Sequence, residues 1–133
     1  MIQFTPDLMT NVAKIDEQHK ELFNRLNTVI QLGGKSYGKE ETEKTLDFLG
    51  QYIIKHFAEE EYLQRRSNYS KYDWHKGQHQ QYVNEFQRLK AEYLKRGISP
   101  MFTLQLHNYM IKWIVRHIKN DDVEFGRHIN MQN

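Results

Sequence analysis

Histidines and acidic residues recur at helical spacing along this sequence. His56 and Glu60 are four residues apart, and so are His75 and His79. Because an α-helix has 3.6 residues per turn, each pair projects from one helix face, where both side chains reach one metal ion. A single pair is weak evidence, because the chain holds 7 histidines and such spacings arise by chance. The information therefore lies in how the pairs are combined.

Two further histidines and one aspartate extend this set. His19 precedes the two pairs and His117 follows them, each among apolar neighbours at helical spacing. Asp122 follows His117 by five residues, about 140° around an ideal helix. A shared face therefore requires a local distortion such as a π-bulge, or a position near the helix end. Asp121 and Glu124 compete with Asp122, because spacing alone does not eliminate them.

The candidate ligands are five imidazoles and two carboxylates: His19, His56, Glu60, His75, His79, His117 and Asp122. A structural zinc site closes with four ligands and usually uses thiolates, and this chain has no cysteine. Seven donors suit two metal ions that share both carboxylates and one solvent-derived bridge, which leaves one position open for an external molecule. Imidazole and carboxylate suit iron, zinc or manganese, and six-coordinate geometry favours iron or manganese.

The balance of ligands indicates the kind of chemistry. Di-iron bundles rich in carboxylates carry Glu-x-x-His motifs, and this chain has none. Ligands that are mostly neutral imidazoles disfavour high-valent iron. The set therefore favours reversible O2 binding over oxygen activation.

Four segments with helical periodicity carry these residues, over about residues 16–32, 39–64, 70–96 and 100–126. Turn-rich or polar stretches at 33–38, 65–70 and 97–100 separate them. In the last stretch, Gly97 predicts a helix end, Ser99 an N-cap and Pro100 a first helical turn. Amphipathic helices with short connections predict an all-α, antiparallel up-down four-helix bundle. Residues 1–15 show no clear period and are expected to form an N-terminal arm over it.

Five of the 7 histidines fall on the predicted inward faces, and buried imidazoles need partners. Glu59 and Glu61 flank Glu60 but point about 100° away from it on a helix, so we place them outside the set. His107 matches no ligand position and is expected at the surface or partly buried, and His128 in a frayed tail. The alternative is a four-helix bundle in which these histidines bind no metal. Burying five imidazoles without ligands would be costly.

Composition and charge argue against several classes of protein. The 19 Lys and Arg against 17 Asp and Glu give a formal charge of +2, which gives little support to nucleic-acid binding. Apolar runs such as residues 113–115 are far shorter than the ~20 residues that cross a membrane. The N-terminus lacks a basic stretch followed by an apolar core. We expect a soluble, cytoplasmic protein without membrane insertion.

The joint pattern resembles the hemerythrin family, and most closely its single-domain bacterial members. The matching residues are Asp16-Glu17-Gln18-His19-Lys20, His56-Phe57-x-x-Glu60, His75-x-x-x-His79 and Trp113-Ile114-x-x-His117-Ile118-x-x-x-Asp122. The resemblance extends from about residue 4 to residue 126 and implies one hemerythrin-like domain over residues 1–133. It also implies two non-haem iron ions joined by an oxo or hydroxo bridge.

The resemblance assigns a role to each candidate residue. It implies a six-coordinate iron held by His75, His79 and His117, a five-coordinate, O2-binding iron held by His19 and His56, and bridges from Glu60 and Asp122. Phe57, Trp113 and Ile114 match positions that line the O2 pocket in this family. For Phe57, plain core packing is at least as good an interpretation, and it is compatible with both roles. An apolar lining would keep water from the site.

The expected function is reversible O2 binding for transport, storage or delivery, and not enzymatic catalysis. O2 is the expected ligand, and an oxygen-consuming enzyme is a candidate recipient. Two alternatives use the same site: a di-iron oxidase, peroxidase or nitric oxide-handling enzyme, and an O2 or redox sensor module. The oligomeric state is left open, with a monomer as the expectation.

Overall fold

A computed structural model describes residues 2–32, 39–97 and 99–132, and these residues form four long helices and no strand. The helices are α1 (Ala13–Leu32), α2 (Lys39–Arg66), α3 (Tyr72–Arg96) and α4 (residues 100–131). A short 3-10 turn, Pro6–Leu8, precedes α1. The predicted turn at 33–38 lies outside the described residues. The all-α prediction is confirmed.

Two wider turns interrupt α4. Its α-helical stretches are Pro100–Gln105, Lys112–His117 and Val123–Met131, and its π-helical stretches are Leu106–Ile111 and Ile118–Asp122. At its start, the Ser99 hydroxyl accepts a hydrogen bond from the Phe102 N–H at 3.0 Å. Pro100 stands at the first position of the helix, so the predicted N-cap is confirmed.

Neighbouring helices run antiparallel. Gln18, near the start of α1, donates a hydrogen bond to Glu59, near the end of α2. Tyr93, near the end of α3, donates its hydroxyl to the carbonyl of Lys39 at the start of α2, at 3.2 Å. The Tyr93 ring also lies 5.2 Å from the ring of Phe102 at the start of α4. These contacts give the up-down-up-down bundle that the sequence predicts.

The apolar core is divided into a large and a small cluster. The large one fills most of the bundle, and the small one joins Ile15, Tyr69 and Phe125 near one end. On α1, His19 lies between Ile15 of the small cluster and Leu22 of the large one. A polar layer therefore interrupts the core at this level. None of the described helices has an apolar stretch of the length that a bilayer requires.

Residues 2–12 form an arm that is attached to α1 at two points. The Ile2 N–H donates to Asn27 Oδ1, and Asn27 Nδ2 donates to the Ile2 carbonyl, both at 2.9 Å. The N–H and hydroxyl of Thr10 both donate to Asp16 Oδ1 at 2.8 Å. Asp16 lies in the first turn of α1, and this helix begins at Ala13, earlier than its apolar period indicates.

The end of α4 is more ordered than the sequence suggests. The helix continues to Met131, so the prediction of a frayed tail around His128 is wrong. The Nε2 atom of His128 lies 2.9 Å from the Ser67 carbonyl oxygen, and its ring lies 5.0 Å from that of Tyr69. Contacts with the α2–α3 connection therefore hold the last turns in place. His107 is exposed, within the range expected for it.

Gly126 permits the close approach of the arm to α4. A Cβ atom at this position would lie 2.3 Å from the Thr10 carbonyl oxygen, which is shorter than a van der Waals contact. Asn130 Nδ2 donates to the same carbonyl at 3.3 Å. Only glycine leaves room for the arm here.

We expect Gly126→Ala to lower the free energy of unfolding by about 1–3 kcal/mol, because the added methyl group overpacks the contact with Thr10. Gly77→Ala is the matched control, since a Cβ in this helical position meets no atom within 4 Å. The control should gain about 0.5–1 kcal/mol from its helix propensity. Urea unfolding followed by circular dichroism measures both. Equal effects of the two substitutions would contradict a tight contact between arm and helix.

Candidate metal centre

All five candidate histidines and both candidate carboxylates meet inside the bundle. Each helix contributes: His19 from α1, His56 and Glu60 from α2, His75 and His79 from α3, and His117 and Asp122 from α4. None of the seven is more than 3% exposed. Buried ionisable groups are stable only when they are paired or bind metal, so this cluster demands a chemical explanation.

The donor atoms form two groups that share the carboxylates. One group contains Glu60, His75, His79, His117 and Asp122, and the other contains His19, His56, Glu60 and Asp122. Within each group the ligand atoms lie within 4.8 Å of one another, close enough to surround one ion. The arrangement offers two metal positions side by side, one with three imidazoles and one with two.

Glu60 turns one oxygen towards each group. Its Oε1 atom lies 2.9 Å from His75 Nε2 and 3.3 Å from His79 Nε2. Its Oε2 atom lies 3.6 Å from His56 Nε2, on the other side. A carboxylate with its two oxygens directed to two sets of imidazoles is placed to bridge two ions.

Asp122 repeats this division from α4. Its Oδ1 atom lies 2.8 Å from His75 Nε2 and 3.2 Å from His117 Nε2. Its Oδ2 atom lies 3.1 Å from His19 Nε2. The π-helical stretch Ile118–Asp122 is the distortion that the five-residue spacing requires, because a π-turn aligns residues five apart.

The two acids that competed with Asp122 lie elsewhere. Asp121 faces the outer side of His117, with its Oδ2 atom 2.9 Å from Nδ1. Glu124 pairs with Lys71 at 2.6 Å near the surface. Of the three acids that spacing left open, Asp122 is the one that joins the cluster.

The inward-facing atoms have few hydrogen-bond partners. Among the described residues, those buried without one include Nε2 of His19, His56, His79 and His117, both oxygens of Glu60, and Oδ2 of Asp122. Buried polar atoms are normally hydrogen-bonded. Unpaired nitrogen and oxygen atoms that converge on two points fit a set of metal ligands.

The family model described as "Hemerythrin HHE cation binding domain" matches residues 10–129. The chain belongs to the hemerythrin family. It is 28% identical over 120 residues to the bacteriohemerythrin of Methylococcus capsulatus, covering 88% of this chain and 87% of that protein. It is 25% identical over 120 residues to hemerythrin subunit 1 of Golfingia vulgaris, covering 90% and 86% respectively. A crystal structure of wild-type hemerythrin matches it with a TM-score of 0.83 at 25% identity, over 96% of each chain. The family and the fold expected from the sequence are thus confirmed.

Both carboxylates of this hemerythrin domain are ionised without metal. Burial and the charge of Asp122 oppose ionisation of Glu60, but the imidazoles of His75 and His79, at 2.9 and 3.3 Å from its Oε1 atom, outweigh them and lower its pKa to about 2. Burial likewise opposes ionisation of Asp122, but the charge of His117 holds its pKa well below the usual range.

The histidines carry the compensating charge. Burial alone would lower the pKa of His75, yet its hydrogen bond with Asp122 and the nearby Glu60 carboxylate raise it to about 9. Burial is also outweighed at His117, where the Asp122 carboxylate raises the pKa to about 10. Burial lowers the pKa of His56 to about 3, so this ring is neutral. The two raised pKa values both belong to imidazoles of the three-histidine side of the cluster.

Sequence reasoning missed the outer partners of these imidazoles. His56 Nδ1 lies 2.7 Å from Gln18 Oε1, and His79 Nδ1 lies 2.8 Å from Glu61 Oε2. Glu61 points away from its neighbour Glu60, as its helical position requires, and for that reason reaches the outer side of a histidine on α3. The sequence held one signal for these partners: each is a polar residue directly beside a candidate ligand. Gln18 precedes His19 in α1, and Glu61 follows Glu60 in α2.

The three residues expected around the O2 pocket lie where the large apolar cluster meets the polar layer. The Phe57 ring stacks on that of His79, with centroids 3.8 Å apart and planes inclined by 2°. The Trp113 ring stacks on that of His117 at 4.7 Å. Ile114 is fully buried. Their part in an O2 pocket stays a prediction.

We expect the affinity of the metal-free protein for Zn²⁺ to rise with pH. An imidazole binds metal through an unprotonated nitrogen, and the pKa values of His75 and His117, about 9 and about 10, keep both rings protonated at neutral pH. Displacing two protons makes the affinity rise by up to about 100-fold per pH unit below these values. Competition with a chelator between pH 7 and 9 measures this slope. A pH-independent affinity would contradict the protonated state derived for the cluster.

Proposed function

We propose that the chain binds O2 reversibly at a non-haem di-iron centre, for oxygen transport, storage or delivery. The observation that carries this proposal is the pair of donor groups that share Glu60 and Asp122, with three imidazoles in one and two in the other. When both carboxylates bridge the two ions, the two-histidine position has one protein ligand fewer than the three-histidine position. A small molecule can bind in that open place. Membership of the hemerythrin family supports the same function.

The ligand assignment is part of the proposal. We assign His75, His79 and His117 to the six-coordinate iron, His19 and His56 to the five-coordinate iron, and Glu60 and Asp122 to the bridges, beside an oxo or hydroxo bridge. The division of oxygen atoms between the two groups supports this assignment, as do the unpaired Nε2 atoms. Residues 1–133 are taken as one domain.

A di-iron centre held by these residues would supply the two electrons that O2 takes up on binding and returns on release. The chain's own residues determine whether this exchange stays reversible. Phe57 and Ile114 are buried and Trp113 is half-buried, so these side chains limit the access of water and of protons to the site. Five imidazoles against two carboxylates also disfavour high-valent iron, which supports binding over oxidation.

We propose a binding protein and not an enzyme. The relatives of the chain are named as hemerythrin, bacteriohemerythrin and, in Sipunculus nudus, myohemerythrin. An oxygen-consuming enzyme as recipient, a cytoplasmic location and a monomeric state stay predictions from the sequence. The next experiment also tests the alternatives, which are an oxidase, a peroxidase, a nitric oxide-handling enzyme and a sensor module.

We expect the anaerobic iron(II)-loaded protein to gain a visible charge-transfer band in air and to lose it when purged with inert gas. Reversal follows from a water-excluding site with mostly neutral ligands. Absorption spectra before air, after air and after purging provide the measurement. A band that never reverses would favour an oxidising enzyme or a sensor. No band, in protein shown to hold both iron ions, would contradict O2 binding.

We expect Asp122→Asn to lose iron binding, because an amide replaces the charged bridge between the two groups. The loss of metal affinity should exceed the roughly 10–100-fold that changes around a metal site usually cause. Glu124→Gln is the matched control, since this acid is 43% exposed and pairs with Lys71. Iron content per folded chain, with circular dichroism to verify folding, measures both. Full iron content in Asp122→Asn would contradict the assignment.

A further inference from the structure

We propose that the chain makes its two metal positions chemically unequal through the outer partners of the ligand imidazoles. Glu61 and Asp121 act as positioning residues for the three-histidine position, and Gln18 acts as the positioning residue for the two-histidine position. The inference rests on the ligand assignment proposed above, and it concerns residues that the ligand set does not include.

Two carboxylates support the three-histidine position from outside. Glu61 Oε2 is hydrogen-bonded with His79 Nδ1 at 2.8 Å, and Asp121 Oδ2 forms an ion-pair contact with His117 Nδ1 at 2.9 Å, outside hydrogen-bond geometry. The two acidic side chains are only 18% and 23% exposed. Solvent and salt therefore screen their charges weakly, and both charges act on the imidazoles that they contact.

A neutral amide takes the same place at the two-histidine position. Gln18 Oε1 lies 2.7 Å from His56 Nδ1. The Nε2 atom of Gln18 donates to Glu59, which fixes the amide so that its oxygen, and not its nitrogen, faces the imidazole. Glu59 lies 3.8 Å from Lys14 Nζ, so the negative charge behind the amide is partly compensated.

The nature of the outer acceptor changes how strongly an imidazole binds metal. When Nε2 binds a cation, Nδ1–H donates to the outer acceptor, and a carboxylate there makes the ring a stronger ligand. A neutral amide accepts a weaker hydrogen bond than a carboxylate. Glu61, through its hydrogen bond, and Asp121, through its nearby charge, therefore strengthen metal binding and stabilise the oxidised ion on their side. Gln18 leaves the ion on its side more weakly held and favours its reduced form.

The two metal positions differ in their outer partners in the same sense as they differ in the number of imidazole ligands. The three-histidine position has one imidazole more, and it also has both outer carboxylates. The two-histidine position, with its open site, has the neutral partner. A ligand that must leave again is bound more reversibly where the reduced ion is favoured, so Gln18 acts in the direction of release.

Two variants separate the two positions. Glu61→Gln removes one outer charge from the three-histidine side. The double variant Gln18→Glu with Glu59→Gln exchanges amide and carboxylate along one hydrogen-bonded chain, and it keeps the net charge unchanged. Glu85→Gln is the control, because Glu85 is 40% exposed and pairs with Arg88 at 2.8 Å, away from the imidazoles.

The experiment is a titration of the metal-free protein with Co²⁺ against a competing chelator, followed by visible absorption. The wild-type protein should show a tighter and a weaker class of sites. Glu61→Gln should weaken the tighter class by about 10–100-fold, the usual effect of an outer partner, and leave the weaker class unchanged. The double exchange should tighten the weaker class by a similar factor, and the control should change neither.

A second measurement excludes a merely structural effect. The midpoint potentials of the iron-loaded protein should rise in Glu61→Gln and fall in the double exchange, while the thermal midpoints of the metal-free variants stay close to that of the wild type. Variants that shift both classes equally, or the wrong class, would overturn the inference and leave O2 binding intact. A wild-type protein that binds no pair of Co²⁺ ions would overturn the proposed function and, with it, this inference.

Discussion

Two ionised carboxylates at the centre of a helical bundle determine much of this structure. Glu60 and Asp122 are each 1% exposed, and an uncompensated buried charge costs several kcal/mol. Five imidazoles surround them, and no single helix has enough facing positions to supply all five. Each of the four helices therefore directs at least one histidine to the same level of the bundle. Helix rotation and register follow from that requirement as much as from apolar packing.

The same constraint explains the irregular parts of α4. His117 and Asp122 must share a face across five residues, and the π-turn Ile118–Asp122 provides this alignment. The second π-helical stretch, Leu106–Ile111, lies farther from the cluster, and there the Tyr82 hydroxyl donates to the Met110 carbonyl at 3.0 Å. A widened turn leaves a carbonyl available for such a bond. Departures from ideal helix geometry thus occur where polar groups need partners, as is common at functional sites.

The candidate ligand residues that meet in the bundle, and the bundle itself, were predictable because both depend on one helix at a time. Apolar and histidine stripes report the inward face of each helix, and the five-residue spacing before Asp122 indicated a distortion. The outer partners were not predictable in this way. Whether Glu61 reaches His79, or Gln18 reaches His56, depends on how two helices are rotated against each other. The arm was also missed in detail, because the Asp16 contacts with Thr10 leave no periodic pattern.

Protonation connects the folding of the chain with its metal site. In the metal-free protein, His75 and His117 gain pKa values of about 9 and about 10 from an ordinary 6.5. Their contribution to stability is fully present below pH 6.5 and is lost as the pH rises through the raised values. Glu60 shows the opposite shift, from 4.5 to about 2, so its contribution is present above pH 4.5 and is lost as the pH falls towards 2. Between these limits, protons compensate the carboxylates and hold the bundle ready for metal. Metal ions would take the place of those protons among the same carboxylates and imidazoles, so one set of side chains serves both states.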